Sequence, residues 1–374
     1  MENLAGLSLT EEDCSHADTI SWAFDDQPGI RRRRRGRSFA YVDEEGPPLD
    51  DSARRRIQKL VIPPAWSDVW ICKDPNGHIQ ATGRDLKGRK QYIYHPQFRK
   101  WREQQKFERI LNFAEALPNL RRKVSADLND RRLSRRLVLA TAVRVLDRTL
   151  MRIGNEEYAR QNQSYGLTTL SAEHIETGSR RVRFSFRAKS GKIFNAELAD
   201  RRVLLILRRL EGLPGQYLFQ YLDEKGEAQR ITSDDVNAYI REAAQGNFSA
   251  KDFRTWAATV LAVTSLLQLE PASSPTAVKR NIAYAIRSVS QRLGNTPAVC
   301  RASYVHPEVL DSYRDGSLVS LASKLAEGES EEPGLSAHEG EVLRFLRRRI
   351  IQPRKQGVSP SASLTGLLSA CLVD

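Results

Sequence analysis

Arg181-Val182-Arg183-Phe184-Ser185-Phe186-Arg187-Ala188-Lys189-Ser190-Gly191-Lys192-Ile193-Phe194 is the stretch on which the reading of the fold turns. Val182, Phe184 and Phe186 alternate with polar neighbours, the period of a half-buried strand. Lys189-Ser190-Gly191-Lys192 then turns the chain back into Ile193-Phe194, which predicts a β-hairpin. The flanks have another period. Upstream, Leu139, Val143, Leu146, Leu150 and Ile153 recur every three or four residues, predicting a helix with Arg152 in its last turn and Gly154 as a left-handed cap. Leu167 to Ile175 reads as a further strand. After Arg201 the pattern is helical nearly throughout, and Ser249 with Asp252 forms a capping box opening the helix that carries Arg254. The apolar stretch Ala257–Leu269 is too short to span a bilayer and is interrupted by Thr259, Thr264, Ser265 and Gln268, so it reads as a buried helix.

From Phe39 to about Gln105 the chain alternates short strands and turns: Val69-Trp70-Ile71, Asp74-Pro75-Asn76-Gly77, Ile79 and Ala81, then Gln91-Tyr92-Ile93-Tyr94. The expected class is α+β, a small β-rich N-terminal domain followed by a mainly α-helical one. The expected boundaries are 1–38, an acidic then Arg-rich tail read as a solvated, disordered run; 39–105, β-rich; 106–325, mainly helical; and 326–374, a linker with a basic helix around Arg344–Ile351 and a Ser-rich end.

The chain has 374 residues and a formal charge of +13. Residues 1–30 hold seven acids and no Lys or Arg, so the other 344 carry +20. A body that basic points to a polyanion, nucleic acid before an anionic membrane surface. Cys14, Cys72, Cys300 and Cys371 lack the spacing of a zinc site or a disulfide framework, and the acidic N-terminus does not resemble a secretion signal. Gly83-Arg84-Asp85-Leu86-Lys87-Gly88-Arg89 comes nearest to a phosphate loop, but Arg89 and Lys90 stand where Lys and Ser/Thr belong. Neither a metal nor a small-molecule cofactor is expected.

Taken singly, Arg152 complements a helix dipole, Lys189 is a solvated turn residue, and Tyr304 is one of 11 tyrosines. Arg254 stands against the dipole of its helix, a local conflict of the kind found at functional sites. Their order in the chain is more telling. Arg152-Ile153-Gly154-Asn155, Phe186 to Gly191, Lys251-Asp252-Phe253-Arg254-Thr255-Trp256, Leu293-Gly294-Asn295-Thr296-Pro297 and Arg301-Ala302-Ser303-Tyr304 resemble, in sequence, the active-site series of the type IB DNA topoisomerases, in the small poxvirus-type branch shared with bacteria. Val61 to Trp66 and Gly83 to Tyr94 are similar to the front domain of that branch.

The resemblance implies a catalytic domain of the tyrosine recombinase/type IB topoisomerase fold, and roles for particular residues. Tyr304 would attack the scissile phosphate and become joined to a DNA 3′ end. Arg152 and Arg254 would hold the phosphate, Lys189 would protonate the leaving 5′ oxygen, and Asn295 would donate a hydrogen bond to a non-bridging oxygen. Arg89, Gln91, Tyr92, Tyr94 and Tyr158 would contact DNA. It also implies double-stranded DNA as partner, relaxation of supercoils without ATP, a monomer, and a cytoplasmic place at the nucleoid. Asn295 departs from the His of viral and nuclear members, and Asn cannot carry charge. His306 reads as ordinary. Two rival readings are a tyrosine recombinase and a non-catalytic DNA-binding protein; Lys251 three residues before Arg254, where recombinases carry His, speaks against the first.

Overall fold

The computed structural model describes residues 20–322 and 334–351, apart from Gly46 and Pro271. The acidic residues 1–19, most of the Glu327–Gly334 linker and the Ser-rich end lie outside them. The chain divides into two compact units between Glu108 and Arg109.

The first unit is an antiparallel sheet in the order β2-β1-β3-β4-β5. Its strands are β1 (Ile30–Arg35), β2 (Ser38–Asp43), β3 (Ser67–Ile71), β4 (Ile79–Arg84) and β5 (Lys90–Tyr94). Alternation along β3 sorts the core: Val69 and Ile71 pack with Ile57 of helix α1 (Asp51–Lys59), while Trp70 clusters with Cys72 and Ala23. The Arg31–Arg35 run, expected in a solvated tail, is instead strand β1, paired with β2 from Ile30↔Asp43 to Arg35↔Ser38. The root of the run is anchored: Ile30 is buried, and Arg32 donates to the carbonyls of Ile62, Pro63 and Trp66 and stacks on Phe39. A like-charge run signals solvation only when nothing pairs with its backbone, and here β2 does.

Helix α2 (Pro96–Asp127) leads into the second unit, whose centre is α3 (Arg135–Thr149). Ser134 caps α3 by accepting from Leu137 N–H, and every α3 residue from Leu137 to Leu146 is buried. The helix ends earlier than its periodicity suggested. Leu150 takes the left-handed conformation (φ 60), so Arg152 lies beyond the helix and not in its last turn. Helix α4 (Glu156–Asn162) follows. The expected strand at Leu167–Ile175 is replaced by two single turns, Leu167–Thr169 and Ala172–His174, before β6 (Ile175–Thr177). β7 (Val182–Arg187) and β8 (Ile193–Leu198) form the expected hairpin, in register Arg187↔Ile193.

Beyond it lie α5 (Arg201–Glu211), α6 (Ser233–Ala244), α7 (Ala250–Leu267), α8 (Pro275–Leu293), α9 (Pro297–Ser303), α10 (Pro307–Arg314) and α11 (Ala337–Ile351). A small hairpin, β9 (Gln220–Leu222) and β10 (Ala228–Arg230), interrupts this helical half and was not read from the sequence. The capping box is present, with Ser249 N–H donating to Asp252 at 2.8 Å, and the apolar stretch from Ala257 lies largely in α7. Basic helix α11 packs on the second unit through Arg121–Glu339, Arg347–Glu115 and Arg349–Glu308 ion pairs. No helix among the described residues is long and apolar enough to cross a membrane.

Gly154 (φ +98) is not a helix cap but packs against Gly166, where a Cβ would lie 2.5 Å from Gly154 N and 2.7 Å from Arg152 O. Leu167 N–H donates to Arg152 O and Thr168 N–H to Ile153 O, so this backbone contact fixes the segment carrying Arg152. Gly166→Ala is therefore expected to cost about 1–3 kcal/mol by overpacking. A Tm equal to wild type in thermal unfolding would contradict it.

Candidate active site

Three helix ends meet around Arg254. Its side chain is 4% exposed and has no carboxylate partner among the described residues. Instead, Nη1 donates to Leu150 O just past α3, and Nη2 to Leu293 O at the last residue of α8, at 2.8 Å. Both carbonyls lack an intrahelical partner and lie at the negative ends of their helices. Burial, and then the like charge of Arg152, pull the Arg254 guanidinium down to about 10. Its Nε is buried with no partner.

Gly294 (φ 62) closes α8 and turns the chain so that Asn295 N–H donates to Ser290 O. Arg152 Nη2 donates to Asn295 Oδ1. A guanidinium has no acceptor, so this bond fixes the amide with its Nδ2 donor directed away from Arg152. That Nδ2 is also buried and unpaired. Thr296 and Pro297 then start α9, which ends at Tyr304. The Arg254 guanidinium carbon lies 5.5 Å from the centroid of the Tyr304 ring. Burial raises the Tyr304 phenol, but the charges of Arg254, Arg152 and Lys251 outweigh it and hold the phenol below its ordinary value. His306 behaves as read: its Nδ1 accepts from Glu308 N–H and caps α10.

The structure thus gathers Arg152, Arg254, Asn295 and Tyr304. Lys189 is apart, exposed at the β7–β8 tip, where Ser190 (φ 66) and Gly191 (φ 73) make the turn. What links this hairpin to the cluster is Lys192, whose Nζ donates to Asn295 O at 3.2 Å. Thr259 was missed too: its hydroxyl accepts from His306 N–H and lies 3.4 Å from Tyr304 O, steadying the tyrosine backbone. Its only trace in the sequence is a polar residue inside an apolar helix.

The other predicted contact residues lie elsewhere. Tyr158 is 41% exposed on α4. In the first unit, Tyr92 and Tyr94 stack on one face of β5, centroids 5.8 Å apart, while Asp85 accepts hydrogen bonds from both Arg89 and Gln91 and so sets the β4–β5 turn.

Residues 95–329 match the family described as eukaryotic DNA topoisomerase I, catalytic core, and residues 38–85 match the bacterial DNA topoisomerase IB N-terminal domain. DNA topoisomerase 1B of Acanthamoeba polyphaga mimivirus is 35% identical over 295 residues, covering 77% of this chain and 88% of the viral protein. The chain belongs to the type IB DNA topoisomerases. A further relative, DNA topoisomerase 1B of vaccinia virus (strain Copenhagen), is 25% identical over 311 residues, 77% of this chain and 91% of its own. In this type IB topoisomerase, the four gathered residues form a cluster with two unused donors, Arg254 Nε and Asn295 Nδ2, beside a tyrosine.

Because Arg254 is the largest influence lowering the Tyr304 phenol, Arg254→Gln should raise the titration midpoint of the ¹³Cζ-tyrosine resonance that is absent in Tyr304→Phe, with Arg152→Gln giving a smaller shift of the same sign. A midpoint unmoved in both variants would contradict this account.

Proposed function

We propose that the protein relaxes DNA supercoils of either sign by transient cleavage of one strand through Tyr304. The Tyr304 phenol gives its proton to solvent, its oxygen attacks the scissile phosphorus, and the bond to the 5′ oxygen breaks. The departing electron pair takes a proton from Lys189, leaving the 3′ phosphate esterified to the tyrosine. The downstream duplex rotates, and the 5′ hydroxyl then attacks phosphorus and releases Tyr304. The phosphotyrosine retains the energy of the broken phosphodiester, so the cycle needs neither ATP nor a metal. One tyrosine breaks one strand, which suits a monomer.

The observation that carries this reading is the pairing of a half-buried tyrosine with donors that lack partners. A phenol near pKa 10 is a weak nucleophile. Arg254 and Arg152 lower it electrostatically, and their guanidinium groups can pair with phosphate oxygens as charge develops. Each such donor is worth about 3 kcal/mol on the oxyanion-hole scale. Asn295 suits the role of a neutral donor, because the bond from Arg152 already directs its Nδ2 away from Arg152. Lys189 sits on an exposed tip, which suits a proton donor that meets its leaving group only when DNA is bound.

Relaxation of positively and negatively supercoiled plasmid, with EDTA and without ATP, tests the proposal. Wild type should relax both signs, and Tyr304→Phe neither, while still binding DNA. Asn295→Ala should slow relaxation about 10²-fold or more. Relaxation by Tyr304→Phe at the wild-type rate would remove Tyr304 from the chemistry.

A further inference from the structure

The arginine run on β1 lies before the residues matched by the N-terminal family model, which begin at 38, and the chemistry at Tyr304 does not use it. Its pairing shows what it is built for. β1 meets β3 only at Ile30↔Ile71 and Arg31↔Trp70, whereas its pairing with β2 continues to Arg35↔Ser38. From Arg32 onward, therefore, β1 and β2 leave the sheet as a two-stranded ribbon, turned at Gly36 (φ +61) with open space around it.

The arginines divide by position. Arg31 pairs with Glu44 and lies 4.0 Å from Asp68, and Arg32 is bound to three carbonyls at the root. Arg33, Arg34, Arg35 and Arg37 are exposed, and none has a carboxylate partner among the described residues. Arg33 and Arg35 stand on one face opposite Ala40 and Ser38, small neutral residues that cannot offset the charge. Two-residue steps in a strand place them about 6.8 Å apart, close to the step between successive phosphates of a DNA strand. Like charges gathered on a ribbon destabilise it when no polyanion is present. A two-stranded ribbon also has the cross-section that a DNA major groove admits.

We propose that the β1–β2 ribbon is a DNA-binding prong, with Arg33 and Arg35 contacting consecutive phosphates of the duplex, Arg37 at the turn reaching a further one, and all three adding affinity without reading sequence. This rests on the topoisomerase reading, in which duplex DNA is the partner. Each neutralised phosphate adds about 0.9 to the slope of log K against log salt.

The test compares binding of a random-sequence duplex by the full chain and by its Arg33→Gln/Arg35→Gln/Arg37→Gln variant, at salt concentrations from about 50 to 200 mM. Both proteins carry Tyr304→Phe, so the outcome is independent of cleavage and of whether the wild type relaxes plasmid. The variant's Tm should not fall, its slope should fall by about 2–3, and its preference among duplex sequences should not change. Arg31→Gln, which removes a paired charge at the root, should leave the slope nearly unaltered. An unchanged slope in the triple variant overturns the proposal. So does an equal loss of binding to anionic vesicles with no loss on DNA, which would assign the ribbon to a membrane surface, or a change in sequence preference, which would assign it to base reading.

Discussion

A buried guanidinium held by the carbonyl ends of two helices is the contact on which the catalytic unit depends. Arg254 is removed from water without a carboxylate, which would be costly but for the carbonyls of Leu150 and Leu293. Those carbonyls stabilise the cation without neutralising it, so its field still acts on Tyr304. A carboxylate in their place would cancel that field and compete with a phosphate. The same two bonds draw the ends of α3 and α8 together, and these ends carry Arg152 and Asn295.

Around this contact the backbone does most of the positioning. The Gly154–Gly166 approach sets where Arg152 leaves the core, and Gly294 turns the chain so that Asn295 faces it. The Arg152–Asn295 bond then decides which end of the amide is free. On the proposed reading, an asparagine suffices there because the site needs a donor and two arginines already supply the charge. Lys189 is treated differently. It rides on a hairpin tied to the cluster through Lys192, which places an exposed residue beside a largely buried site.

Local signals were legible where local interactions decide the outcome. The β7–β8 hairpin, the Ser249–Asp252 capping box and the buried helix from Ala257 each arise from neighbours within a few residues, and the structure has all three. Readings went astray where a distant partner decides. Leu150 and Met151 continue the apolar pattern because they are buried, not because they are helical, so the end of α3 was set too late. Leu167–Ile175 is apolar like a strand, yet Leu167 and Thr168 bond back to the Arg152 segment and hold it in turns. The arginine run looked like a solvated tail because its stabilising partner, β2, has no charge pattern to announce it.

The family and the order of the candidate site residues were legible in the sequence alone, since the motifs that carry them are local stretches of a few residues. The α+β class was too, because strand and helix periods are written residue by residue. The tertiary structure alone decided that Arg254 is held by carbonyls, that Asn295 offers its nitrogen, that the phenol is lowered despite burial, and that the arginine run ends in a projecting ribbon. Each of these depends on atoms far apart in the chain brought within a few ångströms, and both electrostatic and hydrogen-bond energies fall too steeply with distance for linear order to reveal them.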